Sequence, residues 1–378
     1  MVIDRLRQAL DEVIADVVVP LATCVDRDGQ FPTKAIDALG AAGVLGVTVP
    51  TAAGGGGRGL EDAVDIVERL AEVCGSTAMV VMMHFAAVPV IAAHGSREVL
   101  AQIAAGRHLT TLAFSEAGSR SHFWAPLGTA VAAGQDVTMS ARKSWVTSAG
   151  QADSYVWSSR PLAAEGPMTL WLAPSGTAGL SVAGPFDGLG LRGNGSRPVR
   201  AEAARLPRSA MLGADGTGLD LAMTLILPWF LVLNAAFSVG LAEATVREAV
   251  GHLTGARLEH LDQMLADQPG IRGDIGRMRM RTDTAHALLA DTLTALTTSR
   301  ADQMLRLLEA KAVAAEAAIE VTDLAMKTCG GSAFRKELGI ERRFRDARAA
   351  RVMAPTTDQL TDFVARVCLG MPLLDGGS

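Results

Sequence analysis

The stretch LAMTLILPWFLVLNAAFSVGL, residues 221–241, decides the fold. It is apolar over about 20 residues, the length of a helix that crosses a bilayer. A helix buried on all sides in the middle of a bundle has the same texture. Pro228, Asn234 and Ser238 interrupt it, and charge resumes at Glu243 and Arg247. We therefore read it as a bundle helix and expect no membrane partner. Outward from it, helical spacing covers residues 219–255, 258–299 (with a break at Pro269-Gly270), 301–329 and 356–369, which suits a four-helix bundle.

Upstream the texture changes. Between about residues 112 and 206, short β-prone runs (SYVWSSR, MTLWLAP, GLSVAG) alternate with Gly, Pro and Ser clusters. That alternation predicts a small antiparallel sandwich or barrel. Before it, residues 3–27, 32–43 and 60–73 have helical spacing, and the apolar run 76–95 reads as a buried helix. GGGG at 54–57 is a loop, and residues 103–112 lead out of the helical region. The chain is thus mainly α with a central β-domain. We expect an N-terminal helical domain (1–111), a β-sandwich or barrel (112–213) and a C-terminal four-helix bundle (214–378).

Composition agrees. Of 378 residues, 49% are hydrophobic and only 4% aromatic, a balance that favours helices packed through small and straight-chain side chains. The net charge of -5 is mixed, with no basic tract, so nothing in the charge pattern speaks for nucleic acid. Cys24, Cys74, Cys329 and Cys368 lie far apart with no CxxC spacing, as expected for reduced thiols in a cytoplasmic protein without a bound metal. Met1 is followed by charged residues rather than an apolar leader.

Five local motifs occur in order: FSEAGSRSH (114–122), KSWVTSAGQADSYV (143–156), GLGLRGNGS (188–196), MLGADGTGLDLAM (211–223) and CGGSAFRKELGIERRFRDAR (329–348). Together with the helix–β–helix order they resemble the acyl-CoA dehydrogenase superfamily of flavoproteins, over nearly the whole chain. The resemblance implies FAD as cofactor and a slot that presents polar groups to one edge of a flat ring while shielding the other from water. It implies that Leu112, Phe114 and Ser115 border the pyrimidine side, that Ser121 faces the pyrophosphate, that Trp145 and Thr147 sit by the dimethylbenzene–N5 region, and that Ser148 also binds the cofactor. Read from the residues alone, Trp145 is equally a buried β-domain core residue. The resemblance further implies a homodimer or homotetramer with FAD at the subunit interface, reached by Gly330, Gly331 and Arg257 of a neighbouring copy. A flavin reductase or an electron-transfer partner follows in the same way.

The chain departs from the pattern where the chemistry lies. Desaturation of an acyl thioester needs a carboxylate to take the α-proton. In the family that Glu stands in the loop after R-D-A, where this chain has Met353-Ala354-Pro355. A branch of the family carries it instead on the first bundle helix, where this chain has Phe230. The charges common near the coenzyme A end are replaced by Pro228-Trp229-Phe230-Leu231. Phe230 and Ala354 are therefore expected in the substrate pocket, with Phe123 and Trp124 at its mouth. Thr356 and Gln359 form a capping box, which makes Asp358 a first-turn helix residue or else a substitute base; Glu116 is a second substitute. His84, in an apolar helix, is either a hydrogen-bonded core residue or an acid/base beside the flavin. His122 belongs to the loop or to the pocket mouth. Three functions stay open. The first is a flavin monooxygenase, or other non-desaturating flavoenzyme, acting on a small metabolite with reduced flavin and O2. The second is an acyl-CoA or carrier-bound acyl thioester dehydrogenase with a relocated base. The third is a flavin-binding partner subunit without catalysis.

Overall fold

The computed structural model describes residues 2–120 and 122–374. The N-terminal region is helical. A π-helical turn joins α1 (Val2–Val13) to α2 (Val19–Asp28), and α3 (Thr33–Ala41), α4 (Leu60–Val73), α5 (Gly75–His94) and α6 (Arg97–Ala104) follow. α4 buries Ala63, Val64, Ile66, Val67, Leu70 and Ala71, an apolar stripe at the i, i+3, i+4 spacing. α5 is buried along almost its whole length. α6 starts at Ser96, whose hydroxyl accepts from the Val99 N–H, a side-chain N-cap.

The middle of the chain forms two four-stranded sheets. Its strands are β1 (Thr110–Ala113), β2 (Thr129–Ala133), β3 (Asp136–Val146), β4 (Ser154–Ser159), β5 (Thr169–Pro174), β6 (Leu180–Val182), β7 (Arg197–Pro207) and β8 (Met211–Leu212). One sheet has the order β1-β4-β5-β8, the other β2-β3-β7-β6. The expected wholly antiparallel sandwich is corrected at one pair. β1 runs parallel to β4, with Leu112 opposite Val156, because the chain leaves to build β2 and β3 in the other sheet before returning. β1 is an edge strand. Between Lys143 and Val146 the register of β3 against β7 shifts by one residue, a β-bulge that turns side chains off the sheet.

The last region is a helical bundle. It begins with α7 (Gly218–Leu221) and the long α8 (Leu227–Gly255), continues with α9 (Pro269–Thr297) and α10 (Gln303–Cys329), and closes with α11 (Gly331–Phe334), α12 (Ile340–Val352) and α13 (Thr357–Cys368). α8 carries the opening stretch of the analysis and is buried through its centre. Both α5 and α8 are long and apolar enough to cross a bilayer, yet most of each is buried inside the protein. The helix expected from residue 258 begins only at Pro269. Residues 256–268 hold a hairpin, β9 (Arg257–Leu258) with β10 (Gln263–Met264), turned by Asp262 at φ 51°. The capping box is present: Thr356 Oγ1 accepts from Gln359 N–H, and Gln359 Oε1 accepts from Thr356 N–H.

α12 staples the three regions together. Asp346 is buried and accepts the Leu191 N–H at 2.6 Å. Arg345 grips both carboxylate oxygens of Asp26, at 2.9 and 2.6 Å, and donates to the Leu189 carbonyl at 3.2 Å. Arg343 pairs with Glu248 and donates to the Glu72 carbonyl. The approach is close enough to need glycine at Gly190, where a Cβ would lie 2.5 Å from the Arg345 carbonyl.

Candidate active site

Where the β-domain meets α5, the start of α8 and the loop after α12, the chain encloses a cavity of about 810 Å³. Its two sides differ. One is polar. It carries Leu112, Phe114 and Ser115 from β1 and the following turn, Thr147 just past the bulge, and Asn194 and Ser196 from the turn that α12 staples. Thr147 Oγ1 lies 3.2 Å from Ser196 Oγ, and Asn194 Oδ1 accepts the Ser196 N–H at 3.0 Å. Because peptide groups alternate along a strand, Leu112 faces the same way as Thr110, away from β4 on the open sheet edge. The other side is apolar: Met79 and Met83 from α5, Ile226, Leu227 and Phe230 at the start of α8, and Met353, Ala354 and Pro355.

Of the residues expected at the site, Leu112, Phe114, Ser115, Phe123, Trp145, Thr147, Phe230 and Ala354 all line this cavity. Trp145 is not a buried core residue. The bulge turns it out at φ 56°, and it is 70% exposed. Ser148 is buried and does not line the cavity; its hydroxyl has no hydrogen-bond partner among the described residues. Trp124 does not line the cavity and packs against Phe363 of α13, with ring centres 5.7 Å apart. His122 is exposed and stacks edge-on against Trp124. Gly330, Gly331 and Arg257 are exposed and do not line this chain's cavity, with Arg257 paired to Asp262. Ser121 lies outside the described residues.

Neither substitute base is free to serve. Asp358 is exposed in the first turn of α13 and does not line the cavity. Glu116 reaches the lining, but its carboxylate is committed. Oε1 accepts from Lys143 Nζ at 2.6 Å, and Oε2 accepts the N–H groups of Leu127 and Gly128 at 2.6 and 2.9 Å. Lys143 also donates to the Ser158 carbonyl and hydroxyl at 2.7 and 2.8 Å. Both side chains are buried, at 0% and 2% exposure. Burial pulls Lys143 down to about 8 against the opposing pull of Glu116. The pair fixes the turn between β1 and β2 onto β3.

His84 is the clearest departure from a catalytic role. It is fully buried and absent from the cavity wall. The Thr110 N–H donates to Nδ1 at 3.2 Å, so Nε2 carries the proton and donates to the Leu45 carbonyl, 3.0 Å away. The imidazole closes the open edge of β1 one step before Leu112. Burial, its largest influence, pulls the pKa down to about 4. A folded value below the unfolded one means the unfolded chain binds the extra proton, so stability is full above about pH 6.5 and falls as pH drops towards 4. We expect roughly 3 kcal/mol of acid destabilisation from this group. Urea unfolding at pH 7 and pH 4.5 should show a smaller loss in His84→Gln than in the parent; equal losses would remove His84 from the acid response.

The sequence points to the helix around Met82 and Met83 as an apolar wall, and Met83 lines the cavity, but it assigns no role to Met79, Asn194, Ser196, Met353 or Pro355, which line it too. Asn194 and Ser196 lay inside a quoted motif. Met79 and Met83 are one turn apart on a helix that is apolar all round, and periodicity cannot pick the ligand-facing side of such a helix.

The two-sided lining suits a flat ligand with one polar and one apolar end, as an isoalloxazine ring is. Comparison with known proteins agrees. The model for "Acyl-CoA dehydrogenase, N-terminal domain" matches residues 3–106, and that for "Acyl-CoA dehydrogenase, C-terminal domain" matches residues 216–369. The chain is 28% identical to the mitochondrial short-chain specific acyl-CoA dehydrogenase of Bos taurus, over 93% of this chain and 86% of that one. Its fold superposes on the glutaryl-coenzyme A dehydrogenase–glutaryl-CoA complex with a TM-score of 0.91, at 21% identity over 98% and 95% of the two chains. It also superposes on KijD3 in complex with FMN and dTDP-3-amino-2,3,6-trideoxy-4-keto-3-methyl-D-glucose, with a TM-score of 0.85 at 24% identity over 99% and 95%.

Proposed function

Because this chain belongs to the acyl-CoA dehydrogenase family and is a flavin-dependent oxidoreductase with FAD as cofactor, we propose that its cavity carries out flavin chemistry that takes no α-proton: oxygenation, or another non-desaturating oxidation, of a small metabolite. One observation carries this. Among the described residues lining the cavity, Glu116 is the only carboxylate, and it is locked by Lys143 and two backbone N–H groups. Both positions that bear the base in the family are apolar here, at Ala354 and Phe230.

Bound FAD supplies a two-electron acceptor and, once reduced, an electron donor to O2. The protein's part is to orient and to exclude water. Thr147, Ser196, Asn194 and the free edge of β1 would hold the polar end of the ring. Met79, Met83, Phe230 and Met353 keep the reacting face dry, which strengthens every polar interaction there and limits leakage of reactive oxygen species. The fold is not tied to thioesters, since KijD3 holds FMN and a nucleotide-linked amino sugar on it. Exposed Phe334, at 80%, beside Gly330 and Gly331 supports a homo-oligomeric arrangement in which that corner meets another copy. The second reading, a thioester dehydrogenase, is favoured by the similarity to the bovine enzyme.

The two are separated by reduction. The purified protein should be yellow with about one FAD per chain. Butyryl-CoA added without oxygen should leave the flavin oxidised, because a general base is worth roughly 10²–10⁴-fold in rate. Flavin reduced by light should reoxidise rapidly in O2 with no electron-transfer partner present. Fast bleaching by butyryl-CoA, with slow reoxidation in O2, would establish the dehydrogenase instead.

A further inference from the structure

The loop that carries Ala354 is held by a residue the reaction does not otherwise use. Lys311, in the middle of α10, is fully buried. Its Nζ donates to the carbonyl oxygens of Ala350, Met353 and Pro355, at 2.9, 2.9 and 2.8 Å. We propose that Lys311 is the positioning residue of the substrate end of the cavity: its ammonium clips the segment 350–355 to α10 and so sets where Met353 and Ala354 stand against the ligand. This rests on the reading that substrate lies beside the flavin at that end.

Three features single the lysine out. First, the numbers match: an ammonium has three N–H groups and meets three acceptors, whereas a neutral amine has two. Second, among the described residues no carboxylate pairs with it, and burial pulls it down to about 7, so the three-donor ammonium is the form that prevails below that pH. A buried cation without a counter-charge is costly, and a helix that only needed to pack would carry an apolar residue there, as α10 does at Ala310, Ala314 and Ala318. Of the charges of α12 and α13, Arg351 pairs with Glu316, Asp358 is exposed, and Arg348 donates to Thr322 Oγ1 and lines the cavity. Third, the acceptors are placed for the purpose. Ala350 and Met353 lie at the negative end of α12, where carbonyls lack intrahelical partners, and Pro355 lies just beyond the position where the family has its base. From the other side, Asn234 Nδ2 of α8 lies 3.7 Å from Met353 Sδ. The segment is thus held from two helices while its outer face forms cavity wall.

The experiment uses the full-length, FAD-loaded protein and two readouts that need no substrate. One is amide hydrogen exchange of residues 351–357; the other is acrylamide quenching of bound-flavin fluorescence. In Lys311→Met, exchange of that segment should rise about tenfold, the scale of losing a local hydrogen bond or two. Quenching should rise with it, while FAD content and exchange in β3 and α4 stay as in the parent. Lys311→Arg, which keeps the charge and donors, should restore much of both. Unchanged exchange and quenching in Lys311→Met would overturn the proposal, as would protection lost evenly across the bundle, which marks a purely structural role. Should Lys311→Met not fold, the unaltered protein still decides: residues 353–357 must exchange well below the rate of an unstructured peptide of the same sequence, and exchange at that rate would overturn it. Neither readout involves oxygen or turnover, so failure of the oxygenase reading would leave both interpretable.

Discussion

Ala354→Glu should accelerate flavin reduction by an acyl thioester, if the proposed absence of a base is what limits it. Position 354 lines the cavity, and a carboxylate there would be surrounded by Met353, Pro355 and the apolar wall from α8. Burial in such a wall pushes a carboxyl pKa up, towards the range in which a general base is effective at neutral pH. We expect flavin reduction by butyryl-CoA to accelerate by about 10²–10⁴-fold over the parent, measured anaerobically as loss of the visible flavin band. The rise should appear in Ala354→Glu and not in Ala354→Gln, which matches the size without the basicity. If Ala354→Glu binds FAD normally and remains unreduced, the missing base is not the obstacle. The bulk at Trp229 and Phe230 would then be what keeps a thioester out, and Phe230→Glu becomes the decisive variant.

Breaking the Glu116–Lys143 pair should be the most destabilising polar substitution in the β-domain. Glu116→Gln leaves the Lys143 ammonium buried at 0% exposure without its counter-charge, a loss of about 3–5 kcal/mol. The double variant Glu116→Leu/Lys143→Met removes both charges and should recover part of that loss. Recovery will be incomplete, because the N–H groups of Leu127 and Gly128 and the Ser158 carbonyl lose their partners, at about 1–3 kcal/mol for each group left unsatisfied. FAD affinity should fall alongside stability in Glu116→Gln, since the pair anchors the turn that carries Ser115 and Phe123. Denaturant unfolding of Glu116→Leu, Lys143→Met and the double closes the cycle. A double variant that loses the sum of the two single losses would mean the charges do not couple.

The sequence carried the architecture well, for identifiable reasons. Helical period, Gly and Pro punctuation and the β-prone runs are local signals, and they located the helix–β–helix order and the capping box at Thr356. The resemblance of two motifs to a family pattern pointed to Leu112, Phe114, Ser115, Trp145 and Thr147, which the fold brings together on one cavity. What stayed hidden depends on partners distant in the chain. His84 looked like an isolated histidine in an apolar helix, and only its bonds to Leu45 and Thr110, 39 and 26 residues away, make it a strand-edge closure. Glu116 read as a spare base until Lys143 was seen 2.6 Å from it. The Lys311 clip spans more than one helix and has no local signature. The hairpin at 256–268 was missed because its apolar spacing continues that of the helices on either side.

The extra residue in β3 also gives the protein an optical label of its own. Five tryptophans are present, of which Trp157 and Trp171 are completely enclosed while Trp145 stands 70% exposed at the rim of the cavity. Its indole emits from a watery setting, at longer wavelength than the enclosed pair, and lies where it can pass excitation to a bound flavin. The red edge of tryptophan emission should therefore fall as the cofactor loads and return on its release, most of all in a comparison with Trp145→Phe, since Trp124 and Trp229 are half-buried.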